Sequence, residues 1–217
     1  MKVFITGLLL VSCCCLSTAQ RRQFQFPSEM WHEGSVTLTD GNRLEGSVKY
    51  DLTRDAVQIV VEEKTLTYSA NQIREFRILQ EDIQLRRVFF SIPFVTETGY
   101  RRPKLFEVLL DGRTSLVARE FIGLSTRTID NPYYRWGSRF NPIGGRSTQV
   151  RFLDYNFYLV SSKGSMELLG STKKDVLNAL KNNQGELKRF IKSNKLKVDV
   201  VEDLIAIVRY SNDLQAR

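Results

Sequence analysis

Four residues in the 217-residue chain could do thiolate, imidazole or soft-metal chemistry, and three of them, Cys13, Cys14 and Cys15, are adjacent. The fourth is His32. A Cys-His catalytic pair, a four-ligand zinc site or a disulfide framework draws its groups from several parts of a fold. No Cys or His follows residue 32, so none of these is expected. His32 has no orienting motif nearby and is read as a surface or packing residue. The acidic pairs Glu62-Glu63 and Glu81-Asp82 are sequence neighbours, which in a strand point to opposite faces and cannot act as a dyad. They are read as turn or surface charges. The chain has no G-x-S-x-G elbow, phosphate loop, dinucleotide fingerprint or H-E-x-x-H helix. The sequence therefore assigns no catalytic residue, metal ligand or cofactor.

The stretch from Arg119 to Arg151 is different. It holds six arginines (Arg119, Arg127, Arg135, Arg139, Arg146, Arg151) against Glu120 and Asp130, a net of +4, interleaved with Tyr133, Tyr134, Trp136 and Phe140. Residues 126–148 show little periodicity and make a longer loop than most. Arginines and aromatic rings together can hold planar or anionic ligands by stacking, cation-π contact and bidentate hydrogen bonding. Arg127, Tyr133, Tyr134, Arg135, Trp136 and Arg139 are the candidate ligand-binding residues. The competing reading is that the rings fold back over an open end of a sheet while the arginines stay solvated. The net charge of +8 favours anionic partners by long-range attraction. An anionic glycan, a lipid headgroup or an envelope protein is expected, and nucleic acid is not.

That ranking rests on the first residues. Met1-Lys2, the apolar run Val3 to Leu16 and the small-residue exit Ser17-Thr18-Ala19 read as a secretory signal peptide over 1–19, cleaved after Ala19. The run is 14 residues, short of the roughly 18 to 20 needed to span a bilayer, so no transmembrane span is expected. Leu10-Val11-Ser12-Cys13 also fits a lipoprotein box, with Cys13 acylated, as the alternative address. Either way the protein is placed outside the cytoplasm, and a chain trimmed after Ala19 keeps no cysteine.

The elements that must carry these residues are mainly strands. Alternation around the turn Asp40-Gly41-Asn42-Arg43 predicts a hairpin, and three further strands follow before residue 80. Five short strands over 31–80 suit a small, strongly bent barrel. Residues 81–170 form a second antiparallel section, with Pro93 marking an edge, a bulge or a strand end. From 171 the period lengthens to that of helices, with a capping box at Thr172 and Asp175 and three short amphipathic helices to 217. The expected fold class is α+β, a small SH3/Sm-like barrel plus further hairpins and a C-terminal bundle.

The segment Gly34-Ser-Val-Thr-Leu-Thr-Asp-Gly-Asn-Arg-Leu-Glu-Gly-Ser-Val, the Tyr68-Ser69-Ala70 junction, Ile73-x-x-Phe76 and the closing Asp203 to Tyr210 helix resemble secreted Bacteroidota proteins with no assigned activity. The Asp-Gly-x-x-Leu-x-Gly hairpin separately looks like the second and third strands of Sm-like or SH3-like small barrels. Neither resemblance brings site residues with it. The expected function is an exported, non-enzymatic binding or envelope-associated protein. An extracytoplasmic hydrolase acting on envelope or polysaccharide material, or a subunit of an envelope assembly, is the alternative.

Overall fold

The computed structural model describes residues 25–95, 99–129, 146–181 and 183–216. The signal segment, Cys13 and most of the basic aromatic loop, including Tyr133, Tyr134, Arg135, Trp136 and Arg139, lie outside the described residues.

The protein is α+β, built on one antiparallel sheet with three C-terminal helices. The strands are β1 (His32–Leu38), β2 (Arg43–Asp51), β3 (Ala56–Val61), β4 (Lys64–Ser69), β5 (Ile73–Gln80), β6 (Leu85–Val95), β7 (Arg101–Leu110), β8 (Thr114–Ile129), β9 (Arg146–Ser161) and β10 (Met166–Leu168). Their order is β10-β9-β8-β7-β6-β5-β1-β2-β3-β4. The expected small barrel is corrected here, because the sheet is open. β5 does return to pair with β1, but closure would also need β5 to meet β4, and β5 gives its other edge to β6. The second section therefore continues the same sheet.

Two glycines let neighbouring strands come unusually close. Gly34 and Gly46 face each other across β1 and β2. A Cβ on Gly34 would overlap the Arg77 carbonyl, and one on Gly46 the Val60 carbonyl. Only glycine allows the backbones to approach so closely. The concave face then encloses a core of Val36, Val48, Tyr50, Val57, Ile59, Phe76 and Phe89, in which the Phe76 and Phe89 rings stack at 4.3 Å.

A second core lies further along the same sheet. Helices α1 (Lys173–Ala179), α2 (Gln184–Ser193) and α3 (Val201–Ala216) bury Val176, Leu187, Ile191, Leu204, Ile207 and Val208 against Leu116 and Leu159. The Thr172 hydroxyl accepts from the Asp175 amide, and the Asp175 carboxylate receives the Thr172 amide and hydroxyl, the reciprocal cap the sequence predicts. Asn212 of α3 exchanges two 2.9 Å hydrogen bonds with the backbone of Thr114, fixing the helix to the start of β8.

Two strand pairs leave the sheet as ribbons. β6 pairs with β5 only as far as Phe90, beyond which Pro93 faces Pro103 of β7. Pro93 thus occupies an edge, where its missing N–H leaves no gap in a ladder. β7 and β8 pair only from Glu107↔Ala118 to Leu110↔Leu116, while β8 continues with β9 to Ile129↔Arg146. The strands consequently run into both ends of the expected 126–148 loop. Where β7 and β8 part, the Leu105 peptide group is taken over by side chains. Its N–H donates to Asp55 at 3.0 Å and its carbonyl accepts from Arg119 at 2.9 Å. Arg119 also pairs with Asp55 at 2.6 Å and donates to the Leu52 carbonyl. These contacts satisfy the backbone groups that the missing ladder leaves orphaned.

Candidate functional site

Alternation along four strands aims one polar group from each at the interior. Arg87 of β6 lies two residues from Phe89, which is opposite Glu107 of β7. Glu107 is opposite Ala118 of β8, two residues before Glu120. All three charged side chains therefore share the concave face with Tyr50 of β2, and they sit between the two apolar cores.

The geometry is fully reciprocal. Arg87 Nε donates to Glu107 Oε1 at 2.8 Å, and Nη2 donates to Glu107 Oε2 at 2.7 Å and to Glu120 Oε2 at 2.8 Å. Arg87 Nη1 donates to the Tyr50 hydroxyl at 2.8 Å, and that hydroxyl donates to Glu120 Oε1 at 2.7 Å. Exposure is 4% for Arg87 and 7% for each Glu. Burial opposes the Arg87 charge, yet its hydrogen bonds and attraction to Glu107 outweigh this and raise its pKa further. Burial pushes the Tyr50 phenol far up, so it remains an O–H donor. Each carboxylate oxygen receives one hydrogen bond from this set, and two carboxylates face one guanidinium.

Two cavities meet this network. One of about 390 Å³ has Arg87 and Glu107 in its wall, with Phe26, Met30, Leu109, Leu153 and Phe157 among its apolar lining. Tyr155 completes an aromatic wall, its ring 6.0 Å from that of Phe157 and inclined by 21°. Burial raises the Tyr155 pKa, keeping the phenol neutral. The other cavity, about 670 Å³, is lined by Tyr50, Glu120, Lys49, Arg54 and Ile122. Leu153 borders both.

Residues 25–31 form a strap at this boundary. Phe26, Pro27 and Met30 face the smaller cavity, and Ser28 and Glu29 the larger one. Glu29 pairs with Arg151 of β9, whose guanidinium lies 5.0 Å from the Phe26 ring centroid. The Arg151 hydrogen bond, followed by that from the Phe26 amide, holds the Glu29 carboxyl below its ordinary value. His32 Nε2 lies 2.8 Å from the Pro27 carbonyl oxygen, and its ring is buried 6.4 Å from that of Tyr50. It is a packing residue that anchors the strap.

Of the candidate ligand-binding residues, only Arg127 falls in a described element, in β8 opposite Thr148. Two further arginines of the basic stretch lie on strands, Arg119 largely buried and Arg151 still exposed. They form ion pairs with Asp55 and Glu29. Residues that sequence reasoning missed are Arg87, Glu107, Glu120 and Tyr50. A signal was present, since Arg87 shares its alternation with Phe89, and Glu107 shares its own with Leu105 and Leu109. Single charges thus stand where the pattern turns inward.

Among the described residues no three acidic, His or Cys side chains gather as a metal would require, and no helix is long and apolar enough to cross a membrane. Fold and cavities together define an open antiparallel sheet protein with a chamber at the junction of two cores. Compared with family models, curated proteins and solved structures, the chain matches none.

Proposed function

We propose that this is an exported, non-enzymatic binding protein that holds a ligand with an apolar body in the 390 Å³ cavity beside Arg87 and Glu107. The carrying observation is the pairing of a preformed apolar chamber with wall ionisable groups already committed to one another. Its volume falls within the range of about 300 to 1,000 Å³ typical of small-ligand sites. A catalytic carboxylate must be free to exchange a proton or attack, whereas Glu107 and Glu120 are held by Arg87 and Tyr50. That engagement speaks against the hydrolase alternative at this site.

The signal-like segment 1–19 supports export, and the +4 stretch around Arg127 supports an anionic partner for the same protein. A subunit role in an envelope assembly is the second reading, favoured by the exposed Met30, Ile83 and Leu85 that line the cavity.

The test is fluorescence of the neutral apolar dye N-phenyl-1-naphthylamine with the purified protein. Saturable enhancement that is lost in a cavity-filling Leu109→Trp variant is expected. No enhancement with folded wild-type protein would overturn the reading.

A further inference from the structure

The 390 Å³ cavity is acidic although the protein is basic. Its wall holds Asp82, Glu107 and Glu202 against one cation, Arg87, a formal balance of −2. Glu120 adds a second carboxylate to Arg87 from the far side, so the guanidinium is shared between two anions. The other nearby cation, Arg151 behind Phe26, is paired with Glu29. The N-terminus of α3 reaches the cavity at Val201 and contributes a partial positive charge, but Asp203, which that balance does not include, stands in its first turn and offsets it. An excess of negative charge beside apolar walls therefore persists, facing the paired rings of Tyr155 and Phe157.

Resting on the binding reading above, we infer that this cavity takes a cationic amphiphile, an apolar body carrying one ammonium head, in preference to an anionic or neutral one. The physical basis is charge complementarity at the cavity wall, where Asp82 and Glu202 are exposed and together attract a cation by an amount of the order of surface ion pairs. Glu107 is held by Arg87, so an ammonium head is drawn by Asp82 and Glu202, in a cavity that also offers it the Tyr155 and Phe157 rings, the combination that cation-π recognition uses. A carboxylate head in the same place would meet Glu107 and Glu202, and the only guanidinium there is already occupied. Long-range attraction works the other way. A net charge of +8 draws anions to the protein as a whole, so selection for a cation must come from local groups.

The experiment compares decylammonium, decanol and decanoate, below their micelle concentrations at neutral pH, as displacers of N-phenyl-1-naphthylamine from the full chain. The three share one apolar body and differ only in head charge. Decylammonium is expected to bind about tenfold or more tightly than decanoate, with decanol between them. The Asp82→Asn/Glu202→Gln variant, altered at two exposed wall positions, is expected to lose several-fold of that preference while keeping its affinity for decanol. Equal or tighter binding of decanoate, or a preference unchanged in the variant, would overturn the inference and leave the cavity reading standing. If none of the three displaces the dye and the dye itself does not bind, the cavity reading fails first.

Discussion

Tyr50 and Glu120 are 70 residues apart in sequence and five places apart in the strand order, yet the Tyr50 hydroxyl donates to Glu120 at 2.7 Å. The bond exists because the open sheet coils until β2 and β8 face each other across its interior. It closes by side chains a structure that the backbone leaves open.

Tyr50→Phe removes that donor and also the acceptor of Arg87 Nη1. A buried carboxylate oxygen and a guanidinium N–H then lack partners, which costs about 1 to 3 kcal/mol. Arg87→Met leaves two buried carboxylates without their cation and should be worse, by about 3 to 5 kcal/mol. Urea denaturation followed by Trp fluorescence and circular dichroism gives the order wild type, Tyr50→Phe, Arg87→Met. An Arg87→Met protein as stable as wild type would show that the network has no structural role.

Gly46→Ala should be far more damaging than an ordinary strand substitution. The new methyl would meet the Val60 carbonyl, which is held in the β2–β3 ladder. The strands must separate to admit it, so the thermal midpoint should fall sharply or soluble protein be lost. Gly164→Ala places its methyl in open space, with only the positive φ of 77° opposing it, and should lose about 1 kcal/mol.

The β3–β4 turn offers the opposite sign. Glu62 and Glu63 both adopt positive φ, 47° and 67°, a geometry that two-residue hairpins prefer to fill with Asn-Gly. Glu62→Asn with Glu63→Gly removes left-handed strain and adjacent like charges, and a gain of about 1 kcal/mol in unfolding free energy is expected. An unchanged or lower urea midpoint would contradict this.

Acid should loosen the strap through Glu29. Its folded pKa is depressed, chiefly by the Arg151 hydrogen bond, so its contribution is present above the ordinary carboxylate value and is lost as pH falls through the depressed one. The pair is partly solvated, which limits the contribution to about 1 kcal/mol or less. Urea midpoints of wild type and Glu29→Gln should differ at about pH 6 and draw together as acid protonates Glu29 in the folded state. Parallel pH profiles would mean that the ion pair carries no stability.

The local elements were legible because they depend on near neighbours. The β1–β2 hairpin, the Thr172–Asp175 cap and the three helical stripes follow from alternation, turn residues and capping groups within a few positions of one another. Pro93 likewise announced an edge, a bulge or a strand end, and the structure makes it an edge. The length of β8 and β9 was not legible, because a ribbon paired across 16 residue pairs draws its order from register with a distant segment.

Sequence by itself determined that the chain is mainly antiparallel strand followed by amphipathic helices, and that no Cys or His follows residue 32. Only tertiary structure decided that the sheet stays open, that Arg119 and Arg151 are paired, and that Arg87, Glu107, Glu120 and Tyr50 converge. Alternation says which face a residue occupies, and nothing local says which distant residue shares that face. The long-range curl of the sheet, seen in the contact of β2 with β8 through Tyr50 and Glu120, supplies that information. It brings the charges that composition counts as surface groups into the wall of a largely apolar chamber.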